Sequence, residues 1–303
     1  MGSKHAVITG GAGGLGFGCA TRLAALGYDV TIADRDVSGG ALAIERLRTA
    51  TAGDRRLRVE PLDLADPDSV AAFARRLLDR GEPVDVLVNN AGIYPPSRRA
   101  LSAEGHELTF AIAHLGHFRL THALWPLLER AAGARVVSIS SMVQRKARLQ
   151  LDDLAFDRNY EPIRAYQQAK LSCLLFAREL QRRLDAAGSR IASYAAHPGV
   201  CRTGIGRNRR RSAQDTSWQR LMTAVMAGGL RHVGQSPERG AAAVVAAATT
   251  DAFPQGSFIG PRWLFESFGP PALVAPGPAA RDAALARQLW ERSEALTGLR
   301  WSL

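Results

Sequence analysis

The sequence predicts an α/β protein in which a doubly wound, mainly parallel sheet of about seven strands carries helices on both faces. Short apolar runs rich in β-branched residues alternate along the chain with helical patterns of ten or more residues, which is typical of βαβ units. A glycine-rich stretch directly follows the first run and opens the first helix. Because the 303 residues contain no internal repeat and no low-complexity linker, we expect one domain over 1–303.

The individual elements follow from this alternation. Asp66 before Pro67 marks a helix start, because aspartate can cap a first turn and proline suits the first helical position. The predicted strands cover 5–9, 29–33, 57–62, 84–88, 135–139 and 191–195, with a short apolar run at 257–259. The predicted helices cover 14–26, 40–49, a segment from Asp66, 104–130, 163–187, 237–248 and 279–296.

The composition excludes several classes of protein. With 46% hydrophobic and 22% charged residues, the chain is neither disordered nor a small disulfide scaffold. Cys19, Cys173 and Cys201 have no CxxC spacing and no paired histidine cluster, so we expect no metal site. The apolar stretches are too short to span a bilayer and no signal-peptide pattern is present. We therefore expect a cytoplasmic protein.

The net charge of +11 says little about partners. The basic clusters near Arg98, at 145–148 and at 207–211 lie among glycine, proline and serine residues rather than on a helix interleaved with aromatic residues. We expect a small-molecule substrate and no nucleic acid. Only three of the 39 basic residues are lysines, namely Lys4, Lys146 and Lys170, which makes Lys170 more informative.

The glycine-rich stretch at 9–16 predicts a dinucleotide site. Glycines there let the backbone turn tightly and approach a pyrophosphate, while the following helix offers free N–H groups and a positive dipole. An ordinary tight turn is the alternative, and the strand–loop–helix context favours the dinucleotide. The residues expected to contact it are Thr9, Gly10, Gly14, Leu15 and Gly16.

Acidic residues after the next two strands bear on which dinucleotide binds. Asp34 can accept hydrogen bonds from both ribose hydroxyls and would repel a 2′-phosphate, which favours NAD(H). Arg35 could instead stack on adenine or bind that phosphate, so NADP(H) stays open. Asp63 and Leu64 are candidates for the adenine pocket, with a helix cap as the alternative for Asp63.

Three further motifs carry a family resemblance. Asn90, Ala91 and Gly92 close the fourth strand; Tyr166 and Lys170 form a YxxxK pattern; and Ser141 closes the fifth strand. Together with the TGxxxGxG pattern of the glycine-rich stretch, these motifs resemble the short-chain dehydrogenase/reductase superfamily, which has a Rossmann-type fold. The tail, with the Ser236-Pro237-Glu238-Arg239-Gly240 segment and a last helix containing Trp290, is similar to the retinol-dehydrogenase-like bacterial branch.

The resemblance implies an NAD(P)-dependent oxidoreductase that interconverts a ketone or aldehyde and an alcohol. Tyr166 would act as general acid/base, and Lys170, four residues on, would favour its ionised form and bind the nicotinamide ribose. Ser141 would orient the substrate carbonyl. The remaining cofactor contacts implied are Asn90, Ala91, Gly92, Tyr166, Lys170, Pro198, Gly199, Val200 and Thr203.

The same resemblance suggests where substrate binds. A medium-to-large apolar substrate, such as a secondary metabolite, would lie under a lid at 204–229, whose Trp218, Met222 and Met226 form an apolar stripe. The alternative is that these three side chains pack in the protein core instead of forming a wall of the substrate pocket. A C-terminal helix and tail at 278–303 complete the chain, and a homo-oligomer is left open.

One position departs from the family pattern. Relatives carry an asparagine before the segment at 114–118, where it holds a water that links the lysine to solvent; here the residue is Ala113. This motivates a second hypothesis, a tailoring enzyme of the same fold with redox-neutral cyclase or isomerase chemistry. A third is a cofactor-sensing protein without catalysis.

Overall fold

The chain folds around a single eight-stranded sheet, as seen in a computed structural model that describes residues 3–51, 54–201 and 234–303. The strand order is β3-β2-β1-β4-β5-β6-β7-β8. The strands are β1 (His5–Thr9), β2 (Asp29–Asp34), β3 (Leu57–Pro61), β4 (Val86–Asn89), β5 (Arg135–Ile139), β6 (Ala192–Ala196), β7 (Phe258–Trp263) and β8 (Phe268–Leu273). The predicted lid, Thr203, Trp218, Met222 and Met226 lie outside the described residues.

The sheet confirms the predicted doubly wound fold. Strands β1 to β7 pair in parallel, and the chain order reverses between β1 and β4. The central strands β1, β4 and β6 are buried along their whole length, which explains their continuous apolar sequences. In a fold of this kind ligands bind at the carboxyl ends of the strands, where the order reverses.

Within the described ranges the sheet has eight strands, one more than the predicted number of about seven. The eighth strand, β8, pairs antiparallel with β7 at the edge of the sheet. Its sequence contains Pro270 and Pro271 and shows no apolar–polar alternation, so it carries no ordinary strand signal. Proline is tolerated there because an edge strand has one row of backbone groups without a partner strand.

Nine α-helices cover the two faces of the sheet within the described ranges. They are α1 (Gly14–Ala25), α2 (Val37–Ala50), α3 (Pro67–Arg80), α4 (Leu108–Phe110), α5 (Gly116–Ala123), α6 (Trp125–Glu129), α7 (Pro162–Ala186), α8 (Pro237–Thr249) and α9 (Ala283–Thr297). Asp66 caps α3 as predicted, accepting a hydrogen bond from the Asp68 amide at 3.0 Å. None of the helices in these ranges is both long and apolar enough to cross a bilayer.

The predicted single helix over 104–130 is wrong in detail. The helical segment begins only after Glu107, whose carboxylate accepts from the Phe110 amide at 2.8 Å. It then widens into a π-helical turn over Ala111–Leu115 before α5 begins, and it is interrupted again at Leu124, ahead of Pro126. A proline near a helix start cannot donate the backbone hydrogen bond that would continue the preceding helix. Interruptions of the π type often mark functional positions, and this one contains Ala113.

Candidate active site

The loop between β1 and α1 approaches the end of β4 so closely that only glycine fits. Gly10 has φ +67°, and a Cβ there would lie 3.0 Å from the Ala91 Cα. A Cβ on Gly16 would lie 2.2 Å from the Gly10 carbonyl oxygen. The glycine spacing read from the sequence therefore has a steric cause: the loop is packed against 90–91 by backbone contact.

The start of α1 suits an anionic ligand. The N-cap residue is Gly13, so no side chain caps the first turn, and that turn contains no acidic residue. A Cβ built on Gly13 would meet no atom of the described residues within 4 Å. The free N–H groups and the dipole of the first turn are the donors that a pyrophosphate requires. The residues present thus fit a dinucleotide.

Asp34 and Arg35 lie at the carboxyl end of β2, beside this loop. One Asp34 oxygen accepts from the Ala12 amide and the other from the Asp36 amide, both at 3.0 Å. Arg35 remains 73% exposed in its side chain and lies 3.9 Å from the Asp63 carboxylate. The Asp34 carboxylate is therefore anchored against the glycine-rich loop, whereas Arg35 can reorient.

Asp63 is not a helix cap, because Asp66 occupies that position on α3. Its carboxylate instead accepts from the Ala65 amide at 2.9 Å and closes a short turn. Leu64 is buried at 6% exposure. A Cβ on Gly116 would lie 2.4 Å from the Leu64 carbonyl oxygen, so the turn at 63–65 lies directly against the start of α5.

The Thr9 hydroxyl joins the glycine-rich loop to the end of β4. It accepts hydrogen bonds from the Asn90 and Ala91 amides, each at 2.9 Å. The Asn90 side chain returns a hydrogen bond to the Thr9 carbonyl oxygen at 2.7 Å. Thr9 and Asn90 therefore hold the glycine-rich loop and the segment at 90–92 together, and both segments are predicted to contact the cofactor.

His117 completes this network and was not singled out from the sequence. Its Nε2 lies 2.8 Å from the Thr9 hydroxyl and its Nδ1 lies 3.0 Å from the Ala113 carbonyl oxygen. Because a carbonyl only accepts, Nδ1 carries the proton and Nε2 accepts from Thr9. Burial lowers the pKa of His117 to about 4, so the ring is neutral near pH 7. No sequence signal separates His117 from His114, since both lie in the same apolar stretch of sequence.

Tyr166 and Lys170 lie one turn apart on α7, which is tied to the end of β5. The Lys170 ammonium is buried at 5% exposure, donates to the Ile139 carbonyl oxygen at 3.0 Å and lies 6.0 Å from the Tyr166 ring centroid. The Ser140 hydroxyl donates to the Lys170 carbonyl oxygen at 2.7 Å. These two contacts hold the lysine at the carboxyl end of the sheet.

Ser141 follows β5 directly and caps a 3₁₀ turn over Met142–Lys146. Its hydroxyl accepts from the Val143 amide at 3.4 Å. The Tyr94 ring, which follows β4, lies 5.5 Å from the Tyr166 ring. The segments after β4 and β5 and the first half of α7 thus meet at the carboxyl ends of the strands, close to the glycine-rich loop.

Ala113 lies in the π-helical turn and faces an apolar contact. It is 3% exposed and packs against Ala169 and Cys173 of α7. Its carbonyl oxygen accepts from His117 Nδ1 and from the Cys173 thiol at 3.2 Å. Both acceptor positions of this carbonyl are therefore occupied by protein donors.

The turn after β6 lies against the β7–β8 hairpin. Gly199 has φ +70°, and the Val200 amide donates to the Ser267 carbonyl oxygen at 2.9 Å. The Pro198 carbonyl oxygen accepts from the Gln235 side chain at 2.6 Å. Among the described residues, no group of three or more His, Cys, Asp or Glu side chains is arranged to hold a metal ion.

The arrangement matches a known protein family. A family model described as short chain dehydrogenase matches residues 4–214. Polyprenol dehydrogenase of Mus musculus is 38% identical over 300 residues, covering 97% of this chain and 84% of that protein. Retinol dehydrogenase 11 of Homo sapiens is 33% identical over 298 residues, covering 98% and 86%.

Several solved structures are similar to this chain in fold. The crystal structure of a putative uncharacterized protein from Mycobacterium paratuberculosis superposes with a TM-score of 0.78 at 38% identity, covering 99% of this chain and 95% of that one. A Pseudomonas aeruginosa RhlG/NADP active-site complex has a TM-score of 0.64 at 25% identity, covering 85% and 94%. A Burkholderia phymatum short chain dehydrogenase/reductase in complex with NAD shares the fold at 24% identity and TM-score 0.63, covering 81% and 85%.

Structural neighbours with this fold therefore include one bound to NAD and one bound to NADP. The family model matches more than half of the chain, and the sequences of the two dehydrogenase relatives align with almost all of it. The protein is a short-chain dehydrogenase/reductase enzyme, and the chain belongs to the retinol-dehydrogenase-like branch of that family.

Proposed function

We propose that the enzyme interconverts a ketone or aldehyde and an alcohol on a medium-to-large apolar substrate. The observation that carries this proposal is the Lys170 ammonium, buried and held on the Ile139 carbonyl oxygen one helical turn after Tyr166. A buried ammonium requires partners, and among the hydrogen bonds of the described residues the Ile139 carbonyl oxygen accepts one of its three donors. The other two donors can bind the ribose hydroxyls of a nicotinamide nucleotide.

The bound nucleotide supplies or accepts a hydride. In the reductive direction Tyr166 donates a proton to the developing alkoxide, and in the oxidative direction its ionised form removes one. The Lys170 ammonium, one turn on along α7, lies 6.0 Å from the Tyr166 ring centroid. Ser141 donates a hydrogen bond to the substrate oxygen and holds it towards Tyr166.

The cofactor contacts we propose are those read from the sequence. Thr9, Gly10, Gly14, Leu15 and Gly16 form the loop whose helix start is uncapped. Asp34 would accept the ribose hydroxyls of NAD(H), and we propose NAD(H) as the preferred cofactor. The further contacts proposed are Arg35, Asp63, Leu64, Asn90, Ala91, Gly92, Tyr166, Lys170, Pro198, Gly199, Val200 and Thr203.

The apolar nature of the substrate rests on two observations. The names of the relatives specify polyprenol and retinol, both long apolar alcohols. The segment after β4 places the Tyr94 ring beside Tyr166. An aromatic ring next to the reacting group favours an apolar substrate over a charged one.

The test is steady-state oxidation of apolar alcohols and reduction of the matching aldehydes with NAD(H) and NADP(H). Tyr166→Phe is expected to lower kcat by about 10³-fold or more, since it removes the general acid/base, while nucleotide affinity stays within a few-fold of the unchanged protein. Retained turnover in Tyr166→Phe would exclude the assigned acid. Nucleotide binding without turnover over the whole panel would favour the cofactor-sensing hypothesis.

A second candidate, redox-neutral cyclase or isomerase chemistry, is favoured by one observation. The carbonyl of Ala113 already accepts two protein donors and its side chain is apolar, so the water-holding position of relatives is absent in this form. Product of the same mass as substrate, without net consumption of nucleotide, would distinguish this chemistry.

A further inference from the structure

The connection between β7 and β8 holds three consecutive non-glycine residues in the left-handed region of backbone space. Leu264, Phe265 and Glu266 have φ of +45°, +53° and +64°. Such conformations are unfavourable for residues with a Cβ and persist only where surrounding contacts enforce them. Leu264 and Phe265 are 61% and 90% exposed, so their side chains make few of those contacts. Glu266 is the member of the three whose side chain is largely buried, at 16% exposure.

The Glu266 carboxylate joins two segments that border the active site. One oxygen accepts from Nε2 of His197 at 3.0 Å, and the other forms an ion pair with Arg145. His197 directly follows β6, and Arg145 lies in the 3₁₀ turn that begins after Ser141. Burial by itself would raise the pKa of Glu266, but the hydrogen bonds and charges of these two partners outweigh it and lower that pKa. The carboxylate is therefore ionised near neutral pH and bound on both sides.

The proton positions on His197 follow from its partners. The Gly199 amide donates to Nδ1 of His197 at 3.2 Å, so Nδ1 carries no proton. Nε2 then carries it and donates to Glu266. The ring is fully buried, and a Cβ on Gly260 would lie 2.1 Å from Nε2, so it has no room to turn. A continuous chain of hydrogen bonds runs from Glu266 through His197 to the backbone of Gly199.

The same hairpin also holds the turn at 198–200 through its backbone. The Ser267 carbonyl oxygen accepts from the Val200 amide at 2.9 Å, and a Cβ on Gly199 would lie 2.3 Å from that oxygen. The left-handed conformation of Glu266 thus places its own carboxylate on His197 while its neighbour Ser267 meets Val200. The turn at 198–200 is therefore held at two successive residues. The Gly199 amide bonds the His197 side chain, and the Val200 amide bonds the Ser267 main chain.

We propose that Glu266 is a positioning residue of the active site: through His197 it sets the turn at 198–200, and through Arg145 it sets the segment that carries Ser141. This inference rests on the proposed function, in which Pro198, Gly199 and Val200 contact the cofactor. In this proposal Glu266 acts through His197 and Arg145 and not by contact with substrate or cofactor. The two contacts of the Glu266 carboxylate make separable contributions. Its contact with His197, the His197 arm, supports nucleotide binding, and its contact with Arg145, the Arg145 arm, supports the placement of the substrate oxygen.

The His197 arm is tested by nucleotide affinity. Glu266→Met keeps the length of the side chain but cannot accept from His197, and we expect NADH or NADPH to bind about tenfold more weakly, since a hydrogen bond to a charged group is lost. Glu266→Gln retains an acceptor oxygen, and we expect its affinity to recover to within about threefold of the unchanged protein. The affinity is measured by fluorescence titration of the full chain with each nucleotide.

Phe265→Ser is the matched control, because it changes the same left-handed turn at an exposed side chain. We expect its nucleotide affinity to be unchanged. Equal affinity of Glu266→Met and the unchanged protein would overturn the inference, and so would an equal loss in Phe265→Ser. If Glu266→Met does not fold, Glu266→Asp replaces it: the shorter carboxylate should weaken binding by about threefold, and unchanged binding overturns the inference.

The Arg145 arm is tested by separating kcat from KM. Arg145→Met leaves the contact between Glu266 and His197, so we expect nucleotide KM within about twofold and kcat lowered by about tenfold. A general loss of stability would move both constants and would contradict this arm. If the unchanged protein binds neither NAD(H) nor NADP(H), the proposed function fails; if it binds and the Glu266 variants bind equally well, this inference alone fails.

Discussion

The hydroxyl of Thr9 donates to Nε2 of His117 across 2.8 Å, between residues 108 positions apart in the chain. The same hydroxyl accepts from the Asn90 and Ala91 amides, so one oxygen organises the end of β1, the end of β4 and the helix that follows the π turn. All four groups are buried or half-buried. Polar groups in such surroundings are costly when unpaired, so the Thr9 hydroxyl is a structural centre of the proposed cofactor site.

Replacement of Thr9 tests this role. Thr9→Val has nearly the same shape but leaves two amides and one imidazole nitrogen without their partner, so we expect the free energy of unfolding to fall by at least about 2 kcal/mol and nucleotide affinity to fall with it. Thr9→Ser retains the hydroxyl and should lose only about 1 kcal/mol for the missing methyl group. Chemical denaturation and nucleotide titration measure both effects. Equal stability of the two variants would contradict the network.

The buried histidines predict how stability depends on pH. Burial lowers the pKa of His114 to about 3 and that of His117 to about 4, below the value of about 6.5 expected in the unfolded chain. Between pH 6.5 and pH 4 the unfolded chain therefore binds protons that the folded protein does not. Stability should fall as the pH is lowered through this window, by roughly 1 kcal/mol per pH unit for each ring.

The measurement is the midpoint of urea unfolding at a series of pH values. His117→Gln should show a shallower dependence between pH 6.5 and pH 4, because one titrating group is absent. His122→Gln is the control for a histidine substitution in the same helix, at a half-buried position where the ring lies 3.2 Å from the Arg300 carbonyl oxygen. An unchanged slope in His117→Gln would mean that the ring is protonated in the folded protein.

Restoring the family asparagine should not restore the family's arrangement. The Ala113 side chain packs directly against Ala169 and Cys173, so Ala113→Asn places a larger amide in a filled apolar contact. We expect a loss of about 1–3 kcal/mol in stability and no gain in kcat. Combination with Cys173→Ala creates space and should recover part of the stability. A rise in kcat for Ala113→Asn alone would show that the π turn can accept the side chain unchanged.

Cofactor preference is tested at Asp34. Asp34→Asn removes the negative charge while keeping an oxygen that can accept from the Ala12 amide, and we expect the ratio of NADPH to NADH affinity to rise on the order of tenfold. Asp36→Asn is the matched control, because that carboxylate instead caps α2 through the Gly39 amide at 2.8 Å. A preference of the unchanged protein for NADPH would contradict the proposal.

The local features of the fold and site could be read from the sequence. Strand and helix periodicity identified seven of the eight strands that the described residues form. The spacing of glycines at 9–16 and of Tyr166 and Lys170 identified the loop and the helix turn that the structure places at the carboxyl ends of the strands. These features depend on residues a few positions apart, whose backbone conformation and side-chain direction are set by local sterics. The capping of α3 by Asp66 belongs to the same class.

Only the tertiary structure decided the contacts that hold the site in place. Thr9 meets His117, and Glu266 meets His197, across 108 and 69 positions of sequence, and nothing in the local pattern of any of these residues indicates its partner. The edge strand β8 was missed because its two prolines are acceptable only where no further strand pairs. The two long-range hydrogen bonds form because buried polar groups must find donors and acceptors wherever the fold brings them. The spacing of residues along the chain does not encode these partners.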